Sequence, residues 1–137
     1  MRRTALGAAL ACLSVAASAA PAPIAGRWLT AEGKAIAEIG ACKGSGGGLC
    51  GRITDILKPK PGPALDLKNP DPTLRSRPIR GMEFLTGFRP AGDRWTGRIY
   101  DPESGRTYRS ELFRTGEKLK VKGCWGPFCR TQDWTAH

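Results

Sequence analysis

Short stretches in which hydrophobic and polar residues alternate follow one another from residue 25 to the end of this chain. Period-two alternation is typical of β-strands with one buried face, and no window shows a helical period. Most turns between the stretches are short and rich in glycine or proline, as in hairpins. The pattern predicts eight strands, at Ala25–Thr30, Ala35–Ala41, Leu49–Leu57, Met82–Phe88, Arg94–Asp101, Thr107–Thr115, Leu119–Trp125 and Cys129–Thr135.

Eight consecutive antiparallel strands in a flat sheet would expose two edges. Closure into an up-and-down barrel removes those edges, and eight strands enclose an interior that side chains fill or that holds one small ligand. A two-sheet sandwich is the alternative, but most connections are too short to cross between sheets. We therefore predict an all-β fold, a single eight-stranded antiparallel barrel.

One long connection joins the third and fourth predicted strands and contains the proline-rich stretch KNPDPTLRSRPIRG, residues 68–81. Proline restricts the residue before it, so this stretch cannot be a central strand, although Asn69-Pro70 would suit the start of a short helical turn. Connections of this length are usually functional or disordered, and the prolines and spaced arginines argue against disorder.

Two roles remain open for this connection. As a lid over the barrel mouth it would direct Arg75 and Arg80 at an anionic headgroup. As a clamp it would bond its arginines to Asp66, Asp71 and loop carbonyls, and Arg77 is the stronger candidate for that role. Asn69 and Asp71 are expected to be structural.

The first residues have the form of a secretory signal peptide. A charged start, Met1-Arg2-Arg3, precedes the apolar stretch Thr4–Val15, and Ala17-Ser18-Ala19 has the small-x-small form of a cleavage site. We predict a signal peptide at residues 1–19 and one domain at residues 20–137, periplasmic or secreted. A membrane anchor is the alternative, although the apolar stretch is shorter than the ~20 residues that span a bilayer.

The domain keeps four of the five cysteines; the fifth, Cys12, lies in the leader, where lipid attachment is an alternative. Four cysteines in an exported chain indicate two disulfides with three possible connectivities. All four have outward parity and each close pair flanks a hairpin turn, which favours Cys42–Cys50 and Cys124–Cys129. Zinc is the competing interpretation, but there is no CxxC pair and the single histidine is terminal, so we expect no metal.

The inward positions are mostly apolar and should form the core. Five polar groups share their parity: Thr86, Ser110, Arg130, Gln132 and the hydroxyl of Tyr108. Buried polar groups need partners, and a cavity with aromatic walls and a few polar groups suits a small molecule. A filled barrel is the alternative. The candidate ligand-binding residues are Phe84, Phe88, Trp95, Tyr108, Ser110, Trp125, Arg75 and Arg80.

The first strand begins Gly26-Arg27-Trp28, which resembles the Gly-x-Trp opening of lipocalin-like barrels. In those barrels the tryptophan closes one end and commonly packs under an arginine from the last strand. The resemblance implies that Trp28 is structural here. Arg130 has inward parity in the last strand and would be its partner.

A longer series of motifs resembles domain-of-unknown-function family 2147, a family of exported bacterial proteins. The resemblance covers essentially the whole domain and implies a lipocalin-like (calycin) barrel with an internal cavity. It supplies no known ligand, cofactor or catalytic residue. In chain order the motifs are Gly26-Arg27-Trp28, Leu49–Ile53, Asn69–Pro72, Arg77-Pro78, Gly81, Trp95–Gly97, Ile99–Pro102, Ser104–Tyr108, Gly123-Cys124 and Arg130–Trp134.

The net charge and the single histidine limit the classes of function that the sequence supports. The formal net charge is +10, or +8 without Arg2 and Arg3, which suits a protein that meets anionic polymers or membranes. We expect no enzymatic activity, because a nucleophile–histidine pair is not available and no spacing brings two carboxylates to one bond. Nucleic-acid binding is not expected either, because the aromatic residues alternate inward.

We predict an exported protein that holds an amphipathic or lipid-like small molecule, with an anionic one favoured, in the barrel cavity. It uses no cofactor and does not span the membrane. The alternative is an interaction module with a filled barrel, whose basic outer face binds an acidic envelope polymer. The residues of that face are Arg52, Arg109, Lys120 and Lys122.

Overall fold

The structure is a computed structural model and describes residues 10–15 and 20–137. The charged start and the cleavage motif of the predicted signal peptide lie outside the described residues, so cleavage stays a prediction. Cys12 is described and has a free, exposed thiol. Within the described ranges, no helix is long and apolar enough to cross a membrane, and no group of acidic, cysteine or histidine side chains could hold a metal ion.

Eight β-strands follow one another along the chain, as predicted. Short 3-10 turns at Ala31–Gly33 and Pro72–Leu74 are the remaining regular elements among the described residues. The largest difference from the predicted bounds is in the fourth strand, which continues to Ala91. The strands are β1 (Gly26–Leu29), β2 (Ala35–Ala41), β3 (Leu49–Ile56), β4 (Glu83–Ala91), β5 (Arg94–Asp101), β6 (Arg106–Thr115), β7 (Lys118–Trp125) and β8 (Phe128–Ala136).

The sheet closes into a barrel. Each strand pairs antiparallel with the next, and β8 pairs with β1, where Trp28 faces Ala136 and Leu29 faces Thr135. The turns β2–β3, β4–β5 and β6–β7 mark one end, the closed end. The turns β5–β6 and β7–β8 and the β3–β4 connection mark the other, the open end. The predicted all-β, up-and-down barrel is confirmed.

Side chains fill the closed end of the barrel. Phe88 lies across β5, and a Cβ at Gly97 would come within 2.8 Å of its ring, so glycine at this position is what lets the phenyl group enter the core. This densely packed layer leaves no room for a ligand at that end. Its largest members are Trp28, Phe88, Leu112, Leu119 and Trp134.

Strand β4 departs from regular alternation. Its register against β3 shifts so that Leu85 faces Gly51 and the next pair joins Glu83, which leaves Phe84 as an extra residue. Phe84 and Leu85 are both buried, and Thr86 then lies opposite Arg98 and is exposed. The prediction that Thr86 faces the interior is therefore wrong, because a bulge changes which residues point inward.

Disulfides staple two hairpins. Cys42 and Cys50 are joined across the β2–β3 loop, and Cys124 and Cys129, which are direct partners in the β7–β8 ladder, are joined across that turn. These are the two predicted pairings. Both lie on the barrel wall, so they restrain hairpins and do not link distant parts of the chain.

Trp28 closes the barrel with a partner other than the predicted one. Its indole nitrogen donates to the carbonyl of Ile24 at 2.9 Å, and the Arg114 guanidinium lies 5.5 Å from its ring centroid. Trp28 faces Ala136 on β8, six residues beyond Arg130, which is about 20 Å along a strand. The predicted packing of Arg130 against Trp28 is therefore wrong.

Candidate functional site

A cavity of about 450 Å³ opens at the open end of the barrel. It lies between β5, β6, β7 and β8, and its walls are the inward-facing positions of these strands. Ile99 and Val121 supply apolar surface at its base. The barrel is thus filled at the closed end and hollow at the open end.

Aromatic side chains form the upper walls of the cavity. Tyr108 and Trp125 meet edge to face, with ring centroids 5.7 Å apart and planes inclined by 70°. Phe128, the cross-strand partner of Trp125, adds a third ring at the rim. An apolar or flat ligand could pack against these surfaces.

Two guanidinium groups also line the cavity. Arg106 lies 5.2 Å from the centroid of the Trp125 ring, and Arg130 enters from β8. Neither forms an ion pair among the described residues. Asp101 is the cross-strand partner of Arg106, but its carboxylate accepts bonds from the Glu103 amide and the Ser104 hydroxyl. The lining of the cavity therefore holds two cationic groups and one carboxylate, and its net charge is positive.

Two of the six interior candidates, Tyr108 and Trp125, line this cavity. Phe84 and Phe88 belong to the packed core, where Phe84 stacks on Trp134 with centroids 6.0 Å apart. Trp95 donates from its indole nitrogen to the carbonyl of Ala22 at 3.0 Å and so holds the segment that precedes β1.

Ser110, the remaining interior candidate, lies between Gly97 and Gly123 in the ladders of β5, β6 and β7. Its side chain is buried, and its hydroxyl has no hydrogen-bond partner in the described part of the chain. Ser110 lies two residues along β6 from Tyr108 and borders a second hollow, between β4, β5, β6 and β7.

The β3–β4 connection, residues 57–82, is organised around a buried carboxylate. Asp66 is 0% exposed and accepts three hydrogen bonds, from the Tyr100 hydroxyl at 2.5 Å, Arg77 Nη2 at 2.7 Å and Asn69 Nδ2 at 2.8 Å. Burial by itself would raise the pKa of Asp66, but these hydrogen bonds and the Arg77 charge outweigh it and lower that pKa. Burial and the hydrogen bond to Asp66 raise the pKa of Tyr100 to about 12.

The helical turn in the connection begins two residues later than expected, with Asp71 in place of Asn69 as its N-cap. Its N-cap is Asp71, whose carboxylate accepts from the Thr73 amide at 3.0 Å, and Pro72 is its first residue. Asn69 accepts from the Asp71 amide at 2.9 Å and supports the cap from outside. The expected structural roles of Asn69 and Asp71 match these bonds, with Asp71 as the cap.

Arg75 and Arg80 are bonded within the protein. Arg75 donates from Nε to the carbonyl of Asn69 at 2.9 Å. Arg80 donates to the carbonyl of Thr54 at 3.0 Å and to Asp55 at 3.2 Å. The prediction that these two arginines are free for a ligand at the mouth is wrong, because each is engaged by the connection or by β3.

The connection is fixed to β5, and its last residue, Met82, belongs to the hydrophobic core. Tyr100, which bonds Asp66, points to the opposite face of β5 from Ile99, which lines the cavity. The salt bridge from Arg77 to Asp66 is the predicted clamp. The lining of the cavity comes from the barrel strands and the β7–β8 turn, so its mouth is left open.

Sequence reasoning missed two site residues. Arg106 and Phe128 each lie one residue before a predicted strand, since the sixth and eighth predicted strands begin at Thr107 and Cys129. Both have inward parity once β6 and β8 are extended by one residue toward their turns. Arg130 had the correct parity but was given a structural role.

The family model described as "Uncharacterized protein conserved in bacteria (DUF2147)" matches residues 26–136. The chain belongs to this family. The match covers all eight strands and both disulfides. No curated protein matches the sequence closely enough to count as a relative.

A solved structure shares the fold of this family member. It is described as "Protein HP1028 from the human pathogen Helicobacter pylori belongs to the lipocalin family". The two superpose with a TM-score of 0.70 at 21% identity, over 84% of this chain and 83% of that one. The barrel is therefore lipocalin-like. At this identity the likeness concerns the fold alone.

Proposed function

We propose that this protein is an exported, non-enzymatic carrier that binds an amphipathic or lipid-like anionic small molecule in the cavity at the open end. The observation that carries the proposal is an apolar, aromatic-walled cavity lined by two guanidinium groups without an ion-pair partner in the described residues, those of Arg106 and Arg130. The apolar part of the ligand lies against Tyr108 and Val121, and its acidic group meets the arginines.

Two further features support this proposal. The lipocalin-like barrel is an architecture suited to holding one small molecule. The two disulfides are compatible with an oxidising location outside the cytoplasm. The carboxylates of Asp66 and Asp101 are both engaged by hydrogen-bond donors of the protein, which supports a binding role in place of acid–base chemistry.

Titration calorimetry with dodecanoate and with uncharged dodecanol tests the proposal. We expect dodecanoate to bind more tightly, and Arg130→Gln to weaken dodecanoate binding about ten- to a hundredfold, because a charge-assisted hydrogen bond is lost. Dodecanol binding should change little. Arg52→Gln, on the outer face between Glu38 and Glu83, is the matched control. Equal affinity for both ligands, or an equal loss in the control, would contradict the proposal.

A second candidate function, the binding of an acidic polymer, rests on one feature of the outer face. Arg98 and Arg109 are direct cross-strand neighbours on β5 and β6, in a groove of about 600 Å³. Like charges at such positions repel each other. Arg109 donates to the Gly126 carbonyl at 3.3 Å, and Arg98 forms no side-chain hydrogen bond or ion pair with the residues described. An anionic sugar between them would relieve the repulsion.

The other basic residues predicted for that face are compensated. Lys120 lies 2.7 Å from Asp133, and Lys122 lies 3.2 Å from Glu111. Binding of polygalacturonate at increasing salt tests the candidate, because attraction to an exposed polyanion weakens steeply with ionic strength. The pair Arg98→Gln and Arg109→Gln should abolish it and Arg52→Gln should not. Salt-independent binding, or binding kept by the pair, excludes this candidate.

A further inference from the structure

The tip of the β7–β8 hairpin presents two aromatic side chains to solvent. Trp125 is 55% exposed and Phe128 is 77% exposed, and the two are direct cross-strand partners with Gly126-Pro127 between them. Large aromatic groups that project together from a surface mark sites of interaction. They lie at the rim of the cavity described above.

The hairpin holds these rings in place. The Cys124–Cys129 disulfide lies immediately behind them and keeps the two Cα atoms 4.1 Å apart. The disulfide restrains the backbone of the turn and so keeps both aromatic residues at the rim of the cavity.

Positive charge surrounds the tip. Arg109 donates to the carbonyl of Gly126 in the turn at 3.3 Å, Arg106 lies 5.2 Å from the Trp125 ring centroid, and Arg130 lines the adjoining cavity. The nearest acid of that lining, Asp101, is bonded to its own turn. An apolar tip within a ring of arginines matches a layer of apolar chains under anionic headgroups.

We propose that the open end docks on an anionic lipid bilayer, with Trp125 and Phe128 inserted at the interface and the three arginines at the headgroups. This inference rests on the proposed function and names the bilayer as the source of the cavity's ligand. Two aromatic side chains cover about 500 Å² at most, which is well below the ~800 Å² per partner of a stable protein interface. A membrane needs no such area, since a few aromatic and basic side chains suffice for reversible attachment.

Co-sedimentation with phosphatidylcholine vesicles, with and without phosphatidylglycerol, tests the docking. We expect binding to the mixed vesicles, a blue shift of tryptophan fluorescence, and a loss of about tenfold or more in Phe128→Ser, because a buried phenyl group is removed. Arg109→Gln should lose roughly fivefold on the mixed vesicles. Leu67→Ser, which removes an exposed apolar residue from the β3–β4 connection, is the matched control and should bind as wild type.

Three outcomes overturn the docking: no sedimentation of the wild type with mixed vesicles, equal binding by Phe128→Ser, or equal losses in Phe128→Ser and Leu67→Ser. Self-association through the tip would also overturn it, and would appear as an oligomer in analytical ultracentrifugation that Phe128→Ser converts to a monomer. Calorimetry of wild-type protein with dodecanoate separates the two proposals. If the protein binds dodecanoate but not vesicles, the docking proposal alone is wrong. If it binds vesicles but not dodecanoate, the carrier proposal alone is wrong.

Discussion

The Tyr100 hydroxyl donates a hydrogen bond to the Asp66 carboxylate over 2.5 Å and so joins β5 to the connection between β3 and β4. The two residues are 34 positions apart in the chain. Arg77 and Asn69 complete the ring of donors around the carboxylate. Because the carboxylate is fully buried, removing one donor leaves a charge that water cannot easily solvate. This cluster holds the connection against the barrel wall.

Tyr100→Phe removes one donor and keeps the ring. We expect a loss of about 1.5–3 kcal/mol in the free energy of unfolding, the usual contribution of a hydrogen bond to a charged group. Tyr108→Phe is the matched control, because its hydroxyl forms no hydrogen bond with the described residues. Urea denaturation of the two variants measures the difference. Equal midpoints would show that the cluster does not secure the fold.

Acid should weaken the same cluster. The pKa of Asp66 is lower in the folded protein than the value of about 4 expected in the unfolded chain. Its contribution is therefore present above about pH 4 and is lost as the pH falls through the folded value. We expect Asp66→Asn to unfold with a shallower dependence on acid than wild type. Denaturation series between neutral and acidic pH measure the slope, and parallel curves would contradict the assignment.

Raising the pH should destabilise the folded protein through ionisation of Tyr100. Its pKa of about 12 in the folded protein lies above the value of about 10 in an unfolded chain. The stabilisation is complete below about pH 10 and is lost as the pH rises toward the folded pKa. With two tyrosines in the chain, the phenolate absorbance of Tyr108→Phe reports Tyr100 alone. Ionisation near pH 10 in that folded variant would exclude the buried hydrogen bond.

Gly105 sets how closely the connection approaches the β5–β6 turn. It has φ +73°, and a Cβ there would collide with the carbonyl of Lys68. Gly92 has φ +63° with nothing within 4 Å of its Cβ position, so Gly92→Ala measures the backbone cost alone, about 1–2 kcal/mol. We expect Gly105→Ala to be clearly less stable than Gly92→Ala in thermal melts. Equal melting temperatures would mean that the connection does not need this contact.

Alternation was enough to predict the strands, the barrel and both disulfides, because each depends on local parity and short turns. It failed at Phe84, where a bulge inserts one residue and reverses the parity of Thr86. It also could not position the connection. Arg75 and Arg80 bond to carbonyl groups of Asn69 and Thr54, and carbonyl partners leave no trace in a side-chain pattern.

The partner of Trp28 was missed for a related reason. Parity predicts which face of β8 Arg130 occupies. It does not predict the position of Arg130 along the barrel axis, because that position depends on the stagger of the strands when the barrel closes. Closure brings Ala136 beside Trp28 and leaves Arg130 at the opposite end. Arg114, near the β6–β7 turn, reaches the ring instead.

Replacing Arg114 and Arg130 one at a time by glutamine separates the contribution to barrel closure from the contribution to ligand binding. Arg114→Gln should lower the free energy of unfolding by about 1–2 kcal/mol, because the cation over the Trp28 ring is lost together with hydrogen bonds to the carbonyls of Gly116 and Pro23. Arg130→Gln should leave the unfolding midpoint unchanged, since Arg130 has no ion-pair partner among the described residues, and should weaken dodecanoate binding. Chemical denaturation and calorimetry on both variants give the two readings. If Arg130→Gln lowered the unfolding midpoint and Arg114→Gln did not, Arg130 would be the partner of Trp28. That result would contradict the closure described above.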